Sequence, residues 1–492
     1  MKFATHVHIM GITASVLLAP GLLGAQGRPA TVNVPGMHHH YAMIDLGTFG
    51  GPMSRVSTEP DQYVINTEGT IVGQADTSVL TPEPGCFNPI ENPDCSIVHA
   101  FAWRSGHLKD LGTLPGGHFS SALEINQRGQ IAGLSETSEI DPALGTREFH
   151  AVLWDKDNIQ DLGTLGGTAS FAEVLNNHGQ VVGNSLNAVP DPLSIMGLTQ
   201  THGFIWQRGR MEDLGTLGGP DSWASFVNEH GQVAGASYTN DVVNPNTGVP
   251  QIDLFIWENG KMRDLGNLGG SGFNPSICCA GALPWIVTGI NDRGEITGGM
   301  TLAGDQVVDA FLWDGHQLRD LGSLGGHGSY AEGINNRGEV AGVAELPGDQ
   351  TNDAFLWRDG EMIDLGTLGG DPCSAALALN SKGQVIGASE SAAGGCDAWT
   401  AAFLWENGGP MVDLNSLVTP TSGARLIAAE AINERGEIVA AGALPGCPVG
   451  NTDSCQHIYA LIPCDDDHPG IEGCDYSLVG SDSASFRMSW PH

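Results

Sequence analysis

The chain has 492 residues with a formal net charge of −36, and its 20 lysines and arginines stand against 56 aspartates and glutamates. Phosphate recognition needs clustered cations, so nucleic acid is excluded as a partner, and an anionic membrane surface would repel the protein. The 70 glycines, the 7% aromatic content and the absence of long apolar helical stripes predict many short strands joined by tight turns.

In chain order, the first element is "MKFATHVHIMGITASVLLAPGLLGAQ": one lysine, an apolar run, then small residues. It has the form of a secretory signal peptide over residues 1–25, cleaved after Ala25. The run is too short and interrupted to span a membrane, no later segment could span, and no cysteine follows for a lipid anchor. A secreted protein, extracellular or periplasmic, is expected. Residues 26–40 form a linker, in which His38, His39 and His40 are a solvated tract that could also take a transition metal.

From residue 41 four words recur in fixed order. The first is "HAFLW"-like, at 99–103, 150–154, 202–206, 253–257, 309–313, 353–357 and 401–405. The second is "GxMxDLG", as at 209–215; the third ends in Asn, as in "SYAEGIN" 329–335; the fourth is "GQVVG"-like, as at 231–237. Each predicts a strand of about five residues bounded by glycine. "ENG" 258–260 and "RDG" 358–360 close the first and second words into a hairpin, because Asn-Gly and Asp-Gly tolerate positive φ. The third and fourth words are joined by Asn-x-x-Gly at Asn66, Asn126, Asn176, Asn228, Asn291, Asn335, Asn380 and Asn433, which predicts a type I turn closed by a bulge.

Two hairpins per repeat make a four-stranded antiparallel unit, the size of a propeller blade. The chain enters on a second word, "YAMIDLG" 41–47, and leaves on a worn first word, "HIYAL" 457–461. The expected fold is therefore an all-β propeller over residues 41–463, with eight four-stranded blades closed by pairing of the N- and C-terminal strands. Crowding near the axis assigns the small-residue third word to the innermost strand. The hairpin turns then share one face, and the variable links 74–98, 135–149, 185–201, 237–252 and 443–456 share the other.

Ten cysteines fit an oxidising compartment, and spacing suggests Cys86–Cys95, Cys373–Cys396, Cys447–Cys455 and Cys464–Cys474, with Cys278 and Cys279 unassigned. Residues 464–492 are expected to form a disulfide-closed acidic segment and a flexible tail.

The sequence "HAFLW…G.M.DLGTLGG..S.A..IN..GQVVG.S" resembles the HAF-type repeats of extracellular bacterial proteins over residues 41–463. The resemblance implies export and a repeat-built β fold. It brings no activity and no catalytic residues. "DKDN" 155–158 and "DLNSL" 413–417 depart from the pattern.

The DLG aspartates, from Asp45 to Asp413, recur at equivalent places too far apart to share one ion, so they are read as turn-forming groups. Trp103 and its six repeat equivalents are read as packing between blades. Trp223 and Trp399 break the pattern near the variable face and are candidates for ligand contact. The copied loops "LAGDQVVDAFLW" and "LPGDQTNDAFLW" carry Asp305, Asp309, Asp349 and Asp353, carboxylates that could bind a ligand or serve glycoside hydrolysis. Asp465, Asp466 and Asp467 are a candidate Ca²⁺ cluster. No catalytic residue and no cofactor beyond that ion is assigned. The expected function is a monomeric, non-enzymatic binding or surface-interaction scaffold for an extracellular polysaccharide or protein. A polysaccharide-degrading enzyme and a structural envelope protein are the alternatives.

Overall fold

The computed structural model describes residues 40–474 apart from 58–62, 82–94, 143, 192, 195–196, 275–285, 391–395, 397–398, 407, 419–422 and 448–454. The signal-peptide and linker expectations, residues 475–492, and Cys86, Cys278 and Cys279 lie outside the described residues. Among those described are thirty-two strands and one short 3-10 turn, Leu414–Ser416. No helix among them is long and apolar enough to cross a membrane.

Each word is a strand. In the unit at 120–161, Ser120–Ile125, Ile131–Ile140, Arg147–Asp155 and Asn158–Asp161 pair antiparallel in chain order. The same order holds at 50–110, 166–213, 222–266, 287–320, 329–366 and 373–413, and one parallel bridge, Phe149 to Ala169, fuses two neighbouring units into a single sheet. The last unit takes three strands from 425–463, and its fourth is Tyr41–Asp45, registered from Tyr41↔Pro463 to Asp45↔Tyr459.

The turns follow their chemistry. Asn259 and Gly260 (φ 53° and 77°), like Asp359 and Gly360 (54° and 86°), both sit in the left-handed region that a two-residue hairpin demands. At "DKDN" Lys156 takes that conformation without a glycine beside it. In each Asn-x-x-Gly turn the glycine N–H donates back to the Asn carbonyl, as Gly231 does to Asn228 at 3.0 Å.

Packing explains the fourth word's second glycine. Gly235 lies opposite Phe255, and a Cβ there would stand 2.1 Å from the Trp223 carbonyl and 2.5 Å from the Phe255 ring. Only a bare backbone lets that buried ring lie flat on the sheet. The first-word tryptophans fill the widening space between sheets: Trp154 Nε1 donates to the Leu111 carbonyl of the preceding unit (3.0 Å), and the Arg263 guanidinium lies 5.6 Å over Trp313.

Two sets of polar joints run between units. Ser222 Oγ donates to the Gly215 carbonyl and accepts from the Gly203 N–H, and Ser120, Ser170, Ser329 and Ser374 repeat the pattern. Ser54 accepts in the same way from Ile458 N–H, so the first unit is joined to the last. At the other end each turn asparagine uses Nδ2 to donate to the next unit's Asn carbonyl, at 2.9 to 3.2 Å, and Asn433 donates to Asn66, where the series began. The third-word strands of neighbouring units therefore stand side by side along one edge of the sheets.

Disulfides join Cys373 to Cys396, Cys447 to Cys455 and Cys464 to Cys474, with Cα separations of 5.6, 6.0 and 5.3 Å. Cys95 is also disulfide-bonded.

Candidate functional site

The DLG aspartates act locally. Asp45, Asp110, Asp161, Asp213, Asp264, Asp320 and Asp364 each accept from the glycine N–H two residues on, at 2.7–2.8 Å, and Asp413 accepts from Asn415 N–H. The glycines that follow are in the left-handed region, Gly366 at φ 72° for example. Asp364→Ala should therefore cost about 1–2 kcal/mol, one turn hydrogen bond, read as a lower denaturation midpoint.

The first word sets a second polar group before each of these aspartates except Asp413, whose unit has alanine there. His99, His150 and His202 place Nδ1 2.9 Å from Asp110, Asp161 and Asp213, and His457 pairs with Asp45. Burial works to raise these four carboxyls, but the imidazole and the glycine N–H hold them below the ordinary value. Three consecutive units carry aspartate in place of the histidine. Asp253 there faces Asp264, and Asp309 faces Asp320. Burial, then the Asp320 charge and hydrogen bond and the Glu345 charge, push Asp309 up to about 7. Two carboxylates set this close oppose each other's ionisation.

Other perturbed groups lie on the link end and along the third-word strands. Asp221 accepts from Thr201 N–H at 2.8 Å, and burial with the Asp191 charge raises it to about 6. Beside it, Tyr238 packs edge-on to Trp223, centroids 5.2 Å apart. Glu332 and Glu430, both partly accessible, sit on third-word strands where burial raises them to about 8 and about 7. Glu430 borders a shallow cleft lined also by Tyr63, Ile65 and Leu379.

The structure disperses the residues singled out in the sequence. Trp223 is buried against Tyr238, closed to a ligand that approaches from solvent, and Trp399 is half-buried against the core. Asp305 is engaged by the preceding link and by its own strand: it accepts from Ser271 N–H and Oγ, 34 residues earlier, and from Thr301 Oγ1. Asp349, at the matching place in the other copied loop, bonds His327. Asp309 and Asp353 are buried in strands rather than presented with these loop carboxylates. Asp465 is bonded by His468 and by Asp467 N–H, and the Asp467 carbonyl accepts from Arg435. Asp466 is exposed. Among the described residues no three His, Cys, Asp or Glu side chains are grouped so as to hold a metal ion.

No family model and no curated protein matches this chain. Among solved structures, the β-propeller domain of the trilobed protease from Pyrococcus furiosus is similar at 10% identity and a TM-score of 0.41, over 76% of this chain and 98% of that one. Dipeptidyl peptidase 4 of Porphyromonas gingivalis is similar at 10% identity and 0.43, over 78% of this chain, which spans 57% of the peptidase. An ulvan lyase from a polysaccharide lyase family gives 9% and 0.37, over 87% and 96%. These likenesses carry no argument about activity.

Proposed function

We propose that this chain is a secreted HAF-type repeat protein whose eight blades close into one propeller, and that it works as a non-enzymatic binding scaffold. The observation that carries the reading is the contrast between its two ends. The turn end repeats one Asn-x-x-Gly arrangement, tied from unit to unit by asparagine amides. The link end differs from unit to unit in length and side chains. Binding sites are built where a rigid frame carries variable loops. Closure is supported by the Asn433–Asn66 and Ile458–Ser54 joints and by the N-terminal strand in the last sheet. The disulfides fit an oxidising compartment. The repeated aspartates are engaged in turns, which favours a scaffold over an enzyme.

The test is a mass balance with residues 26–492 on a panel of polysaccharides, counting protein retained and sugar released. Retention without release is the expected result. Release of soluble sugar would instead favour the polysaccharide-degrading alternative and direct attention to Asp309, whose carboxyl burial and the Asp320 charge push up to about 7. Neither retention nor release would favour a protein partner or a structural role in the envelope.

A further inference from the structure

Three consecutive units extend their middle hairpin beyond the common frame. Ile71–Leu80, Ile131–Ile140 and Val181–Pro190 are ten residues long, where Val233–Tyr238, Ile296–Thr301 and Val340–Glu345 are six. Four extra residues project a strand about 13 Å farther. The next unit has no longer strand but carries a 13-residue link, 239–251, in the same position.

These four tips carry aliphatic side chains into water. Exposure runs from 51% at Val189 through 53% at Ile140 and 63% at Leu80 to 71% at Val242. Among the described residues every large apolar side chain left exposed belongs to these tips, Tyr63 alone excepted. Scattered exposed aliphatics need no explanation, but their confinement to one arc of one end does.

Charge divides the molecule in the same sense. In the described parts of 76–81, 136–148, 187–200 and 239–251 every charged side chain is a carboxylate except Arg147. That guanidinium already donates to the Gly116 and Thr137 carbonyls and lies 4.0 Å from Glu136. At the opposite end the Asn-x-x-Gly turns carry Arg128, Arg293, Arg337, Lys382 and Arg435, of which Arg293 and Arg337 pair with Glu295 and Glu339.

Resting on the reading as a binding scaffold, we infer that the four tips form a docking arc for a protein segment that presents aliphatic side chains flanked by lysine or arginine. Sheets pack about 10 Å apart, so four consecutive tips span roughly 30 Å, the length of a helix of about 20 residues. A second copy fits less well: its cationic end offers charge without the aliphatic surface.

The test titrates residues 26–492 with a 20-residue helical leucine–lysine peptide, and in parallel with lysine–serine and leucine–glutamate peptides of the same length. The quadruple variant Val79→Ser, Leu80→Ser, Ile140→Ser and Val189→Ser changes only exposed positions, and an unchanged circular dichroism melt shows that it folds. The leucine–lysine peptide is expected to bind, to weaken with salt, and to lose at least tenfold in affinity to the variant, while the two controls bind weakly or not at all. Equal binding of the lysine–serine peptide, or an unchanged affinity in the variant, would overturn the arc. Self-association in sedimentation that the substitutions abolish would assign the arc to a second copy instead. Retention on polysaccharide by wild type and variant alike, with no peptide binding, would overturn the arc and leave the scaffold reading standing. Absence of every interaction would remove both.

Discussion

A protein that lacks Tyr41–Leu46 is expected to be less stable by about 4 kcal/mol, or to self-associate through the uncovered edge of Gln456–Pro463. The segment is the outer strand of the last sheet. Its Tyr41, Ala42, Met43 and Leu46 are all buried, and they cover Tyr459 and Leu461, which are fully buried in turn. At about 25 cal/mol per Å² the lost apolar contact is worth several kcal/mol, and the entropy of ordering six residues offsets only part of it. The deletion also exposes a row of strand N–H and C=O groups that had partners. Urea unfolding and sedimentation measure the two effects. A synthetic peptide of residues 41–47 added in trans should restore the midpoint, since it supplies the same register. An unchanged midpoint in the truncated protein would mean that the sheets hold together without the terminal pairing.

That strand was legible because the chain begins on one word and ends on another. The four words, both hairpin turns and the aspartate turn were legible for a similar reason: each is a short-range instruction written in glycine, asparagine and aspartate, and repeated copies average out the noise. What the repeats did not reveal is what one copy does to the next. The turn asparagine looks like a residue that bonds its own backbone, and it does accept from the N–H groups two and four residues on, as Asn228 does from His230 and Gln232. Its amide nitrogen also reaches the next unit, a contact with no local signature. The third-word serines are the same case: small residues that bind the preceding sheet.

The histidine–aspartate pairs did have a signal. His99, His150 and His202 each stand eleven residues before their DLG aspartate, as do Asp253, Asp309 and Asp353 before theirs. A constant spacing across a hairpin places two side chains on one face of adjacent strands. The candidate ligand residues were less legible. Trp223 and Asp305 stand near variable links in sequence, yet the fold turns one into the core and ties the other to Ser271 of the preceding link. Proximity to a link says which end a residue is on, not whether solvent reaches it.

Carboxyls raised by burial and by nearby charge make stability depend on pH in a predictable direction. Asp221, Asp309, Glu430 and Glu332 have folded values of about 6, 7, 7 and 8. In the unfolded chain all four lose their protons near pH 4. Between about pH 4 and 8 the folded state therefore holds protons that the unfolded state has released, and stability falls as pH rises. His202 and His457, raised by their aspartates, add to the same trend, since that contribution is complete below the ordinary histidine value and is lost above the raised one. Asp45, Asp110, Asp161 and Asp213 act oppositely: their depressed values stabilise above the ordinary carboxyl range, and that contribution is lost as pH falls through the folded values. The optimum should lie in mild acid, with a loss on the order of 3 kcal/mol between pH 5 and 8.5 once solvent screening of the partly exposed groups is allowed for. Asp309→Asn removes the ionisation that Asp320 and Glu345 oppose. It should stabilise by about 1–2 kcal/mol at pH 8.5 and by almost nothing at pH 5. Asp309→His should also relieve the repulsion at pH 8.5, and unlike the Asn variant it should stabilise at pH 5 too, where the protonated imidazole pairs with Asp320 as His202 does with Asp213. Urea midpoints measured across that range check both variants. A wild-type profile that is flat from pH 5 to 8.5, or an Asn variant that parallels it, would show that Asp309 is ionised in the folded protein and that its partners tolerate the charge.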